Sequence, residues 1–249
     1  MKVDLLMKIK LAFITFLVVI TACASKEPPF DAITSFREAE ENMRNADYEK
    51  ARKHYQEIEE KSPDKSYDAV LMLRVADTYY GEEKFSEAAV EYQAFLNYHP
   101  VHKDAAYAQY QIALCSYKDL LTIDRDPTPA FTVIKEMRKL LEKYPKSGYE
   151  TEANRYIAIC TEWIAEYELY VARFYYRKDA YKAAAGRCEK LLTDYSGSRV
   201  EKDALLYAGL SHQKLNEKDL ARERFKTLEQ KYPAMKSVAQ SHIRAIDKP

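Results

Sequence analysis

The residue with the plainest chemistry is Cys23. It follows Ile20-Thr21-Ala22, an aliphatic residue and two small ones, which is the form of a bacterial lipobox. Ahead of it lie Lys8 and Lys10 and a short apolar run, Leu11 to Ile20. That run falls short of the roughly 20 residues a membrane span needs. The segment therefore reads as a lipoprotein signal peptide, residues 1–22, cleaved before an acylated Cys23. Covalent lipid on that thiol is expected, and no other cofactor. Ala24 and Ser25 follow the cysteine. Lipoproteins kept in the inner membrane commonly carry Asp there, so the expected site is the inner leaflet of the outer membrane, facing the periplasm. Met1 and Met7 both stand as start codons, Met7-Lys8-Ile9-Lys10 being the more regular positive start. Residues 23–30, with Pro28 and Pro29, form a short tether.

Little else offers chemistry. The sequence has no H-E-x-x-H, C-x-x-C, G-x-x-x-x-G-K or G-x-S-x-G. His99 and His102 flank Pro100, but two imidazoles make an incomplete metal site, so no metal is expected. Cys115, Cys160 and Cys188 lie in helix-patterned segments. They read as small core residues, and a Cys160–Cys188 bridge has no spacing to support it. Lys plus Arg and Asp plus Glu number 39 each, and losing Lys2, Lys8, Lys10 and Asp4 with the leader leaves 36 and 38. A net charge near −2 supplies no basic field, so nucleic acid is not an expected partner. The expected class is a binding protein, not an enzyme.

The elements behind these residues are repeats. A helix stripe recurs as Tyr48, Ala51, Tyr55, Ile58, Pro63, as Phe85, Ala88, Tyr92, Phe95, Pro100, and as Lys218, Ala221, Phe225, Leu228, Pro233. Tyr181, Ala184, Cys188, Leu191 repeats it with Ser196 in place of Pro, and Ala130, Val133, Met137, Leu140, Pro145 is a weaker copy. Steps of three and four put these side chains on one helix face. The spacing is that of the second helix of a tetratricopeptide hairpin, whose period is about 34 residues. First helices precede the copies: Leu71 to Tyr80, Tyr107 to Tyr117, and Leu205 to Leu210, where Gly209 takes the small position at a helix crossing. Met235 to Ile246 reads as a cap. The expected fold is all-α, a right-handed superhelix (α-solenoid) of about five tetratricopeptide-type hairpins plus a C-terminal capping helix.

Two departures matter. An insertion holds Asp124-Arg125-Asp126-Pro127-Thr128-Pro129, in which Asp126 or Thr128 can cap the next helix. Thr151 to Lys178 has no Gly or Pro and reads as one long helix, or two nearly continuous ones. The expected division is residues 31–147 for repeats 1–3 and residues 148–249 for repeats 4–5 and the cap.

Two segments carry a sharper likeness. Asp124-Arg125-Asp126-Pro127 leads to Leu141-Glu142-Lys143-Tyr144-Pro145-Lys146-Ser147. Ile164-Ala165-Glu166-Tyr167-Glu168 leads to Val171-Ala172-Arg173-Phe174-Tyr175-Tyr176, then Tyr181, Ala184 and Arg187. With the lipobox and five repeats, the mature chain resembles the BamD (ComL/YfiO) family, tetratricopeptide lipoproteins of the bacterial β-barrel assembly machinery. Tyr195-Ser196 departs from the family's Tyr-Pro. The resemblance implies a non-enzymatic scaffold lipoprotein. Its C-terminal repeats would hold the BamA periplasmic domain, and its N-terminal repeats would receive unfolded outer-membrane proteins. Other assembly-complex lipoproteins would join it. Another periplasmic tetratricopeptide lipoprotein, pilotin-like or a cell-envelope coordination factor, is the alternative.

On the concave face, positions one turn apart are expected to escape the packing stripe. By register these are Phe36, Glu40 and Met43, then Leu73, Asp77 and Tyr80, then Tyr110, Leu114 and Tyr117. Except for Glu40, they form the candidate substrate groove, with Tyr rings suited to an extended aromatic segment. In the C-terminal half Arg173, Arg177 and Arg187 form the candidate partner-docking face, near Glu166 and Tyr170. Local ion pairs of these arginines to Glu166 or Glu189 are the competing reading.

Overall fold

A computed structural model describes residues 30–120 and 126–247. The leader, Cys23 and most of the tether lie outside them, as do Asp124 and Arg125. The described chain is helical. Five hairpins follow one another: α1 (Ala32–Arg44) with α2 (Tyr48–Lys61), α3 (Asp68–Gly81) with α4 (Phe85–Tyr98), α5 (Ala105–Lys118) with α6 (Thr128–Lys143), α7 (Glu150–Arg177) with α8 (Tyr181–Asp194), and α9 (Glu201–Lys214) with α10 (Lys218–Lys231). Short 3-10 turns precede α3 and the cap α11 (Lys236–Ile246).

Most of these helices have 14 residues, a length that is marginal alone in water. Packing holds them. Each helix packs on the one before and the one after it, and α9 also touches α7. The repeat stripe is the core: Ala51, Ala88, Val133, Ala184 and Ala221 are 0% exposed. Fourth-position residues Phe95, Leu140, Leu191 and Leu228 are buried with them. The core is a chain of small clusters joined by shared half-buried residues. Tyr79 belongs to the first two, Tyr144 links the second to the third, and Tyr195 carries the contact into the fourth repeat.

Four of the hairpins turn in one way. After α1, α3, α7 and α9 a single residue takes left-handed φ: Ala46 (59°), Glu83 (59°), Asp179 (57°) and Asn216 (62°). The next residue returns its N–H to a carbonyl five back: Asp47 to Asn42, Lys84 to Tyr79, Ala180 to Tyr175 and Glu217 to His212. This is the Schellman termination, made here without glycine. The second helices α2, α4, α6 and α10 end two residues before Pro63, Pro100, Pro145 and Pro233. Helix α8 ends two residues before Ser196 with no proline, because Gly197 turns at φ +81° and gives its N–H to Glu201 Oε2 at 3.2 Å.

At the insertion, Asp126 Oδ1 accepts from Thr128 N at 3.0 Å and from Thr128 Oγ1 at 2.7 Å, but the N-cap of α6 is Pro127 and neither Asp126 nor Thr128, so Asp126 fixes the entering turn from one residue ahead. Thr151 to Lys178 is one uninterrupted helix: α7 has 28 residues. Its first half packs on α6 and its second on α8. Cys115, Cys160 and Cys188 are free and buried. Burial pushes their thiols up, to about 12, 11 and 12 respectively, so they stay protonated.

Gly209 and Gly186 separate packing from helix propensity. A Cβ on Gly209 would meet the Phe225 ring at 2.7 Å, whereas one on Gly186 meets nothing within 4 Å. Gly209→Ala is expected to lose about 1–3 kcal/mol and Gly186→Ala to gain about 0.5–1 kcal/mol. Urea unfolding followed by helical circular dichroism measures both.

Candidate protein-binding surfaces

The first two repeats share a polar network on the concave face. Arg74 on α3 reaches Glu40 on α1 at 3.0 Å and Asp77 at 3.2 Å. Tyr55 donates to Glu40 at 2.6 Å. Asp77 also accepts from Tyr92 at 2.6 Å and from Tyr107 at 2.7 Å, so it ties α3 to α4 and α5. Burial and then the Asp77 charge raise both phenols well above the usual range. Burial opposes the Arg74 charge, but Glu40 and Asp77 outweigh it and hold the guanidinium protonated. Val70, Leu73, Arg74, Asp77, Asp104 and Tyr107 line a cleft of about 350 Å³ here.

An aromatic basin lies beyond this cleft. Tyr110 stacks on Tyr149 with centroids 4.8 Å apart and meets Tyr156 at 6.2 Å. Tyr117 sets its edge to Tyr156 at 4.8 Å, and the Arg155 guanidinium covers the Tyr156 ring at 4.6 Å. Burial, followed by the neighbouring Tyr156, pushes Tyr110 up to about 12. Tyr80 packs edge-on against Phe85, and burial, with Cys115 and Tyr156 near it, raises its hydroxyl too. Leu114 is half-buried in the same cluster. Tyr110, Leu114 and Tyr117 thus come together, but two walls of their basin, Tyr149 and Tyr156, come from α7 and its approach. Nothing in the local spacing of α5 points to them.

The expectation that the whole register escapes packing needs correction. Leu73 is only 7% exposed and belongs to the core of the second repeat. Phe36 lies edge-on to Tyr55 at 5.8 Å, and Met43 packs into the first core. Leu73, Phe36 and Met43 are thus taken up by the cores of their own repeats. Asp77 is engaged by three partners and acts as an anchor between repeats.

The C-terminal half has the opposite charge at the same place. Counting back eight residues from the start of each second helix, Glu40 and Asp77 correspond to Arg173 and Leu210. Arg173 pairs with Asp203 at 2.9 Å and lies over the Tyr207 ring at 5.2 Å, while its Nε has no hydrogen-bond partner among the described residues. Arg173, Arg177, Glu166, Leu169, Tyr170 and Val200 line a cleft of about 310 Å³. Arg177 is exposed at its rim. Arg187 is elsewhere, on α8, where it grips Glu168 at 2.8 Å together with Lys190 at 3.2 Å. Glu168 is 4% exposed and is the ion partner sequence reasoning missed. Glu166 pairs with Arg199 and Glu189 with Arg224, so neither carboxylate pairs with Arg173 or Arg187, whose partners are Asp203 and Glu168.

The family described as YfiO, outer membrane lipoprotein, matches residues 30–228. The chain belongs to this family. It is 26% identical over 208 residues to the outer membrane protein assembly factor BamD of Neisseria meningitidis serogroup A, covering 80% of this chain and 78% of that one. To the BamD of Rickettsia prowazekii it is 25% identical over 235 residues, covering 93% and 94%. Among solved structures, the TPR2AB domain of yeast Sti1 in its pHSP90 complex is similar with a TM-score of 0.45 and 12% identity, covering 87% of this chain and 98% of that one. Among the described residues no helix is long and apolar enough to cross a membrane.

Charge reversal at Arg187 tests stability before docking. Arg187→Glu leaves Glu168 with Lys190 alone and adds a like charge. A loss of roughly 1–3 kcal/mol is expected, below the fully buried case because the Arg187 side chain is 39% exposed. Arg177→Glu should stay within about 0.5 kcal/mol of the native chain. Denaturant midpoints of the two variants decide.

Proposed function

We propose that this chain is a non-catalytic assembly factor for outer-membrane proteins, held to the outer membrane by acyl chains on Cys23. Its N-terminal half receives an unfolded outer-membrane protein as an extended, aromatic segment. Its C-terminal half holds the BamA periplasmic domain, and other lipoproteins of the assembly complex join the scaffold. The observation that carries this reading is the family match over residues 30–228, on a stack whose two halves present different chemistry. Tyr110 and Tyr117 of the third repeat meet Tyr149 and Tyr156, from α7 and its approach, in one aromatic basin at the inner end of the N-terminal half. Tyr rings give large contact area with few rotamers to freeze and keep a polar tip for backbone groups. The C-terminal half offers exposed Arg177 beside Tyr170, on a cleft that Arg173 also lines while paired with Asp203. That combination suits an acidic protein surface with an apolar centre.

Two measurements test the halves separately. Affinity purification of the tagged chain from detergent-solubilised membranes should bring down a large β-barrel protein. Arg177→Glu should cut that recovery about ten-fold, a change of about 1.4 kcal/mol, while Arg177→Lys keeps most of it. The Tyr117→Ala, Tyr156→Ala pair should weaken binding of an aromatic C-terminal peptide of an outer-membrane protein by about ten-fold at unchanged helicity. Peptide binding that ignores the pair removes the groove. Recovery that ignores Arg177 removes the docking cleft.

A further inference from the structure

The three most exposed large apolar side chains lie at one edge of the stack, although others such as Val90 and Phe131 lie elsewhere. Val101 is 95% exposed, Ile33 77% and Tyr98 75%, the three highest values among the large hydrophobics described. All three lie at one end of the N-terminal hairpins. That end carries the start of α1 and the turns leading into α3, α5 and α7. Tyr67, 45% exposed, lies there as well.

These side chains are held out by the turn that bears them. The rings of His99 and His102 fold inward on Phe95, at 5.4 and 5.6 Å. His102 Nδ1 accepts the Asp104 N–H at 3.2 Å. Tyr144 from the next turn donates to the Pro100 carbonyl at 3.1 Å. With its polar and imidazole groups committed inward, the turn presents Tyr98 and Val101 to the outside. Lys103 and Lys146 stand on the same edge without an ion pair among the described residues. Acidic groups are there too, so the charge is mixed and the apolar tips carry the argument.

The described chain also begins at this edge. Phe30 packs beneath Lys61 at 5.5 Å, and α1 starts two residues later. Cys23 is seven residues before Phe30. Even fully extended, seven residues reach only about 24 Å. Given the acylated Cys23 of the proposed function, on which this inference rests, the edge cannot be farther than that from the bilayer surface. Exposed Tyr, Ile and Val beside a bilayer favour the headgroup region, where Tyr is enriched and apolar tips leave water. The opposite edge of the same hairpins, at the start of α6, is one helix length away, about 20 Å.

We infer that this edge is a lipid-contact surface, with Tyr98 and Val101 seated in the headgroup layer of the bilayer that holds the anchor. The protein then stands on the membrane in a fixed attitude, its first helices running away from the lipid.

The single native tryptophan, Trp163, makes the test direct, since it lies about 20 Å along α7 from this edge. The mature chain is purified from membranes and reconstituted into phosphatidylethanolamine–phosphatidylglycerol vesicles, with and without brominated acyl chains. In a Trp163→Phe background, indoles are placed by Tyr98→Trp, by Val101→Trp, and by Phe131→Trp at the opposite edge. Brominated lipid should dim the Tyr98→Trp and Val101→Trp proteins about two-fold or more and leave Phe131→Trp and native Trp163 nearly unchanged. Mass spectrometry of the same preparation reports acylation independently. An acylated chain without quenching at 98 or 101 overturns the lipid contact and leaves the anchor standing, the edge then serving a protein partner. Quenching in an unacylated chain upholds the contact and removes the anchor. Neither acylation nor quenching, or equal quenching at both edges, overturns the inference.

Discussion

The constraint behind everything in this molecule is that a pair of 14-residue helices cannot hide its own apolar stripe. Each second helix carries an alanine or valine where it meets its partner and a larger residue on either side. One hairpin covers half of that stripe and leaves the rest for the next hairpin. The core is accordingly a string of clusters, with Tyr79, Tyr144 and Tyr195 counted in two each. A small residue lost at one crossing is felt locally, and a hairpin without its neighbour exposes a complete apolar face.

Polar groups follow the same nearest-neighbour logic. Arg52 on α2 holds Glu82 at 3.0 Å and Thr78 at 3.1 Å, after the end of α3 and near it. Glu201, 5% exposed, takes Lys231 at 2.7 Å and Tyr232 at 2.8 Å from the end of α10. His212 sits between Glu217 at 2.6 Å and Glu189 at 3.1 Å, and Arg224 shares Glu189. Buried ion pairs of this kind add little net stability, since desolvation offsets most of the attraction, but removing one partner is costly. Their effect is to set which hairpin faces which. Because the concave row changes from Glu40 and Asp77 to Arg173, the two halves of one repetitive fold can take chemically different occupants.

Much of this was legible in the residues. The three-and-four spacing of Ala51, Tyr55 and Ile58 and its copies marked core side chains, because a helix face is a local property. Gly209 as a crossing point and an unbroken helix from Thr151 onward were legible for the same reason, whereas the N-cap of α6 is Pro127 and neither Asp126 nor Thr128. What escaped was non-local or silent. Tyr149 and Tyr156 complete a basin with Tyr110 from some 40 positions downstream. Leu73 is buried in a cluster built from three successive helices, α3, α4 and α5. Glu168 looks like any surface acid until α8 covers it. The left-handed turns at Ala46 and Glu83 lack the glycine that would have announced them, and their cost is borne by the helices on either side. Ser196 in place of Pro does not lengthen α8, which ends at the same offset as the other second helices, with Gly197 in the left-handed region and bonded to Glu201.

Helix α7 is the one element that both halves own. Its 28 residues make a rod of about 42 Å without Pro or Gly. Hairpins on either side bolt to different stretches of it, as two brackets to one beam. Any flexing between the hairpins on its two sides must bend that beam or slide along it. The angle between the two sets of hairpins is therefore a property of a single continuous hydrogen-bond ladder. Inserting or deleting one residue there would swing one bracket by about 100° around the axis, with every local contact otherwise preserved.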